Sequence, residues 1–240
     1  MKATSASIED YRRLYDMFQA PVTRFDCGRK CAPLNGGDPV CCSTKHAVPV
    51  VERAEWSLLR SRSDLWRPHR PTDAAGKAIA AELAKSCLAI ECKGARHCER
   101  DNRSLACRSF PFFPYIDRKG RFIGLAIHWA FADRCWVMSN LGVVDDEFRR
   151  KFVATYDYLF AVDAGEYGAN KEHSAALRRV FSRRRCPIPL IGRDGGFFKV
   201  MPHGRGMRPC RLEALPKYGP YRSTRAWRAA LTAAGAPASL

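Results

Sequence analysis

Eight of the chain's eleven cysteines fall between Phe25 and Pro111, and any fold this sequence adopts must give those thiols a job. The stretch opens with Cys27, Cys31 and the adjacent pair Cys41–Cys42. It closes with Cys87, Cys92, Cys98 and Cys107, the last inside Cys107-Arg108-Ser109-Phe110-Pro111, and Cys135 follows soon after. Thiols at this density are either paired as disulfides or held as metal ligands, and the compartment decides which. Residues 1–20 carry Glu9, Asp10, Arg12, Arg13 and Asp16 and no apolar run, unlike a secretory signal. No later segment approaches the roughly 18 apolar residues of a membrane span. The expected compartment is therefore the reducing cytoplasm, with no membrane partner. The odd cysteine count also argues against a fully paired disulfide set. Because thiolate is a soft, polarizable ligand, the expectation is a metal centre, either zinc or an iron–sulfur cluster.

The spacings narrow that expectation. Three residues separate Cys27 from Cys31 and nine separate Cys31 from Cys41. Gaps of four, five and eight follow between Cys87, Cys92, Cys98 and Cys107. No Cys-x-x-Cys occurs, which counts against zinc ribbons, treble-clef fingers and thioredoxin-type dithiols. A radical-SAM triad fails because Leu34 stands where its third cysteine belongs. Side chains of adjacent residues in extended geometry diverge. Cys41 and Cys42 therefore suit two irons of one cluster, or one ligand and one packed thiol, better than a single ion.

These residues carry a resemblance. Phe25-x-Cys27-x3-Cys31, Cys41-Cys42, Val48-Pro49-Val50, Glu55-Trp56, Cys87 and Cys98, and the closing Cys107-Arg108-x-Phe110-Pro111 resemble the YkgJ-like cysteine-cluster family, described as a zinc- or iron-chelating domain. The resemblance spans roughly residues 25–140. The chain departs from the family in the nine-residue gap before Cys41, where two residues are more usual. The resemblance implies Cys27, Cys31, Cys41, Cys42, Cys87, Cys98, Cys107 and Cys135 as metal ligands and gives Cys92 no counterpart. Cys186 and Cys210 are isolated and read as free thiols. Flagellin lysine methylases share such a cysteine cluster, so a methylase-like enzyme acting on a partner protein is an alternative, although no methyl-donor motif is visible.

Around this stretch the pattern is α+β: a small, irregular, metal-stabilised cysteine domain with short hairpins packed against several helices. The organisation expected is an N-terminal helix over 1–24, the cysteine domain over 25–142 and a helical, basic C-terminal region over 143–240. Ser7 followed by Asp10, with Ile8, Tyr11, Leu14, Tyr15 and Phe18 at helical spacing, predicts the first helix, and Pro21 ends it. Val51–Arg62 and the Ala-rich Asp73–Lys85 also read as helices, and residues after Cys87 as irregular up to Phe112. Hairpins are predicted over 112–129 and over 188–201. Phe148, Phe152, Tyr156, Leu159 and Phe160 line one face of a helix starting at Asp145–Asp146, and another helix runs from Asn170 to Arg184. A short helix lies near Thr224–Ala230.

Charge adds a second theme. The net charge is +17, and from Lys171 onward there are fifteen Lys and Arg against three Asp and Glu. Such asymmetry suits an acidic protein surface or nucleic acid as partner, or simply a solvated basic face. Phe197, Phe198, Tyr218, Tyr221 and Trp227, interleaved with arginines, suggest base stacking beside phosphate contacts, so a zinc-stabilised nucleic-acid-binding protein is a further alternative. Arg108 and Arg103 are expected to steady an anionic thiolate centre, and Phe110, Phe112 and Phe113 to keep water from it. His46 and His97 lie near cysteines and read as satisfied loop histidines ahead of metal ligands, and His128 reads as structural. No Gly-x-Ser-x-Gly, Walker loop or His-Glu-x-x-His occurs.

Overall fold

The computed structural model describes residues 5–236. The chain begins with α1 (Ile8–Met17), the short α2 (Gly28–Cys31), β1 (Val50–Glu52), α3 (Arg53–Arg62), β2 (Trp66–Pro68) and α4 (Ala74–Ala81). Then come β3 (Cys87–Cys92), α5 (Leu105–Ser109) and the hairpin β4 (Phe112–Ile116) and β5 (Phe122–Ile127). Two long helices follow, α6 (Asp146–Val162) and α7 (Ala164–Arg183). The chain closes with β6 (Ile188–Gly192), β7 (Phe197–Val200), β8 (Met207–Pro209) and α8 (Thr224–Ala233). The α+β class is the one the sequence led us to expect. Two antiparallel sheets form, one ordered β1-β3-β2 and the other β4-β5-β6-β7-β8. Among the described residues no helix is long and apolar enough to cross a membrane.

Local chemistry accounts for the helix boundaries. At the start of α1, Ser7 and Asp10 form a reciprocal capping box: Asp10 N–H donates to Ser7 Oγ at 3.2 Å and Ser7 N–H to Asp10 Oδ2 at 2.8 Å. The face Tyr11, Leu14, Tyr15 is buried against α3 and α6. Helix α7 begins at Ala164, six residues before the expected Asn170. Asp163 caps it there by accepting Glu166 N–H at 2.9 Å, while its other oxygen accepts Ala6 N–H at 2.8 Å.

The five-stranded sheet takes β4 and β5 from before residue 142 and β6 to β8 from after it, so the cysteine-rich and basic segments share one sheet. Gly124 makes that junction. A Cβ there would sit 2.1 Å from the Ile191 carbonyl oxygen, so only glycine lets β5 approach β6 this closely. Helix α7 covers the sheet's β4 edge, where Ser174 Oγ accepts the otherwise open Ile116 N–H at 2.9 Å. The segment 87–111, expected to be irregular, holds β3 and α5.

Candidate metal centre

Several short segments bring cysteines to one cavity of about 450 Å³ beside the end of α1. Cys27 precedes α2 and Cys31 ends it, one turn apart on the same side. The chain then makes a 3-10 turn over Ala32–Leu34 and reverses through Gly36 and Gly37, both in the left-handed region, while Asn35 donates to the Asp38 carbonyl at 2.8 Å. That reversal is how the nine-residue gap after Cys31 returns Cys41 and Cys42 to it. Gly28 permits the return, since a Cβ there would come 2.8 Å from Pro39 Cγ.

The other walls come from further along. Cys92 ends β3, paired with Trp66, and Gly94 N–H donates to its sulfur at 3.4 Å. Cys98 follows a 3-10 turn and receives Arg103 Nε at 3.2 Å. Cys107 lies on α5, whose N-cap Ser104 accepts its N–H at 3.2 Å. Cys135 precedes the 3-10 turn Trp136–Ser139. The cavity is thus lined by Cys27, Cys31, Cys41, Cys42, Cys92, Cys98, Cys107 and Cys135. All eleven cysteines are free thiols.

Seven of the eight cysteines named from the sequence meet here, and Cys87 stands apart. It opens β3 while Cys92 closes it, about 16 Å away at the strand's rise per residue. Its thiol donates instead to Glu52 Oε1 at 3.2 Å. Cys92 takes a place at the cavity that the family resemblance did not provide. The signal for it was the two-residue period of a strand. Leu88, Ile90 and Cys92 share the face that packs on the core, whereas Cys87, Ala89 and Glu91 share the other.

Burial disfavours ionisation of most of these thiols. Burial pushes Cys107 up to about 12, with the neighbouring Cys92 and Cys42 adding to the rise. Burial also raises Cys27, Cys31, Cys92 and Cys135. In the Cys41–Cys42 pair, whose sulfurs are 3.9 Å apart, their mutual hydrogen bond raises Cys41 and lowers Cys42. A metal cation would reverse this by stabilising thiolates outright. Burial works to discharge Arg103, but Cys98, Cys107 and Cys42 outweigh it and hold the guanidinium charged.

The donor set suits a soft metal. Eight cysteines and no histidine line the cavity; of its two aspartates, Asp26 and Asp101, the first accepts the Gly28 N–H at 3.0 Å. Among the described residues no three His, Cys, Asp or Glu side chains form a compact ligand group. A tetrahedral zinc site needs four sulfurs about 3.8 Å apart, following from Zn–S bonds of about 2.3 Å. The corners of an iron–sulfur cube stand further apart, because inorganic sulfide fills its middle.

Other expected members behave differently. Arg103 meets the thiols as anticipated, whereas Arg108 is a structural staple. Its guanidinium donates to the carbonyls of Phe18, Asp101 and Arg103 at 2.7, 2.7 and 2.9 Å, and it stacks 4.4 Å over Tyr15. Of the three phenylalanines only Phe110 reaches the cavity; Phe112 and Phe113 lie in two separate core clusters. His97 is exposed, His46 pairs with Arg134, and His128 is packed among aromatic rings. In the basic segment Tyr221 is buried, with its hydroxyl on the Arg134 carbonyl at 3.0 Å. Tyr218, Trp227 and Phe197 pack on the main core, so these rings are not a free stacking surface. A second recess of about 510 Å³, between Pro21 and Arg150, holds charged side chains and no sulfur. No family model, curated protein or solved structure matches this chain.

Proposed function

We propose that this protein binds a metal centre through clustered thiolates, and that the centre is of the iron–sulfur type, in keeping with the YkgJ-like family its cysteine pattern resembles. The observation that carries the reading is the convergence of eight cysteines from several separate segments on one cavity. Convergence of that kind has no use in a self-sufficient core, since buried thiols pack as small hydrophobes without needing one another. The Arg103 guanidinium on Cys98, at 3.2 Å, supports an anionic thiolate centre. With the centre bound, the loops over residues 26–42 and 93–104 are tied together, so metal binding contributes to folding.

Anaerobic purification followed by metal and sulfide analysis tests this directly. A brown protein with matched iron and acid-labile sulfide is the expected result. A colourless protein carrying stoichiometric zinc sinks the cluster and keeps the thiolate site. Protein that takes up neither metal sinks both.

A further inference from the structure

A third recess, of about 220 Å³, opens where the β4–β5 turn meets the turn Pro202–Gly204 and the last turns of α7. It shares no residue with the thiol cavity. Its floor is the rim of the smaller core cluster, made by Phe181, Ile188, Ile123 and Val200. Its wall carries Arg118, Lys119, Arg121 and Arg178 against one acid, Asp117. We propose that this recess binds a small organic anion, a phosphate or carboxylate carried on a compact apolar body. The proposal stands apart from the metal reading.

Asp117 is already engaged. It accepts the N–H groups of Lys119 and Arg121, each at 2.9 Å, and pairs with the Arg121 guanidinium at 2.8 Å. Among the described residues Arg118, Lys119 and Arg178 enter no ion pair, so their charges line the recess unbalanced. Two of them are held in place. Arg178 donates from Nη1 to the Ile116 carbonyl at 2.7 Å and to the Tyr115 hydroxyl at 3.3 Å, and lies over the Tyr115 ring. That uses one nitrogen of the guanidinium and leaves the donors on the other two for a ligand. The Arg118 guanidinium rests on Gly204, where a Cβ would meet Nη1 at 3.0 Å and Cζ and Nη2 at 3.4 Å. Gly204 is in the left-handed region, so glycine gives the turn both its shape and the room for Arg118. The preceding His203 donates its N–H to Ser182 Oγ at 3.1 Å, which fastens the turn to α7. The closing carbonyls of α7, which would repel an anion, are occupied: Val180, Phe181 and Ser182 accept the N–H groups of Arg184, Cys186 and Arg185, each at 3.1 Å.

The larger recess by Pro21 is a useful contrast, because it sets two arginines among three acids and meets its charges internally. Positioned guanidiniums above an apolar floor recognise an anion by charge-assisted hydrogen bonds and its body by burial. Pockets for drug-sized molecules run from about 300 to about 1,000 Å³, so the ligand here is smaller than those.

The test titrates the full chain with phenyl phosphate and with benzoate by calorimetry at physiological ionic strength, where diffuse attraction to a basic surface is screened. One site per chain is expected for at least one of them, and the probe that binds identifies the acid group. Arg118→Gln alters an exposed side chain and should weaken that binding about tenfold or more, as loss of a charge-assisted hydrogen bond implies. Lys119→Gln, also exposed, repeats the test from the neighbouring charge. Arg150→Gln removes the same charge beside the larger recess and should leave binding unchanged. Phenol, the body without the charge, and inorganic phosphate, the charge without the body, should each bind more weakly than the better probe. Failure of both probes to bind overturns the proposal. So do equal losses in Arg118→Gln and Arg150→Gln, and so does phenol or inorganic phosphate binding as tightly as the better probe.

Discussion

The thiol-lined cavity and the aromatic core under α6 lie next to each other and are held by opposite means. In the core, Phe18, Phe148, Phe152 and Tyr156 meet ring to ring at centroid distances of 4.6–6.0 Å and are neutral, buried and mutually complete. In the cavity the groups that face one another are like-charged when ionised, burial opposes their ionisation, and short turns are their main support. The core needs nothing but protein. The cavity's thiols meet a guanidinium in Arg103, which lies 3.2 Å from Cys98.

The sharpest way to break this contrast is to damage the core and ask whether the metal proposed for the cavity matters. Phe152 is fully buried, so Phe152→Ala removes a ring and leaves a void, at a cost of about 3–5 kcal/mol. If core and cavity are energetically separate, urea denaturation followed by circular dichroism gives the same loss for metal-loaded and chelator-stripped protein. A loss that shrinks markedly on stripping would mean that the core is formed only when the cavity is filled.

The same contrast explains what the sequence disclosed. Helix α6 and its apolar face, the Ser7–Asp10 capping box and both hairpins were legible because periodicity and capping are local signals. That five strands form one sheet across residue 142 was not legible, since the β5–β6 pairing joins residues more than 60 apart through one close approach at Gly124. At the cavity, seven of the lining cysteines are ones the family resemblance implied. The exchange of Cys87 for Cys92 was not legible, because β3 is a six-residue strand whose alternation is short and broken by a cysteine at each end. Arg108 misled for a related reason: adjacency to Cys107 says nothing about the carbonyls of Phe18 and Asp101, which lie elsewhere in the chain.

Glu55 sits on the border between the two regions and offers a smaller, pH-dependent test. Its buried carboxyl accepts the Leu105 N–H at 2.6 Å, which opens the helix carrying Cys107, and the Tyr15 hydroxyl at 2.7 Å. Burial raises it to about 7, against an ordinary 4.5, with these two bonds restraining the rise. The folded protein therefore keeps this proton at pH values where the unfolded chain has lost it. The favourable contribution is fully present below pH 4.5, fades as pH rises toward 7, and stays lost above that. Glu55→Gln keeps the oxygen acceptor and never ionises. It should match wild type below pH 4.5 and exceed its stability above pH 7 by about 3 kcal/mol. Chemical denaturation of both proteins from about pH 4 to about pH 8, a window that brackets both pKa values, measures the difference. A gap that does not change with pH would show that Glu55 titrates alike in the folded and unfolded chain.

The smallest effect discriminates best, because it pits the two ends of one strand against each other. Cys87→Ser keeps a donor for Glu52 and touches nothing at the cavity, so stability should change by less than about 0.5 kcal/mol and metal content not at all. Cys92→Ser alters a side chain of nearly equal size, five residues along, on the face that reaches the cavity, and should cost metal. The pair controls for expression, for thiol count and for the general effect of replacing sulfur by oxygen in β3. Metal analysis of the two variants, prepared side by side, then reads only position. Equal metal in both would return Cys92 to the role of a packed thiol, and loss in Cys87→Ser alone would mean that β3 presents its other face to the metal.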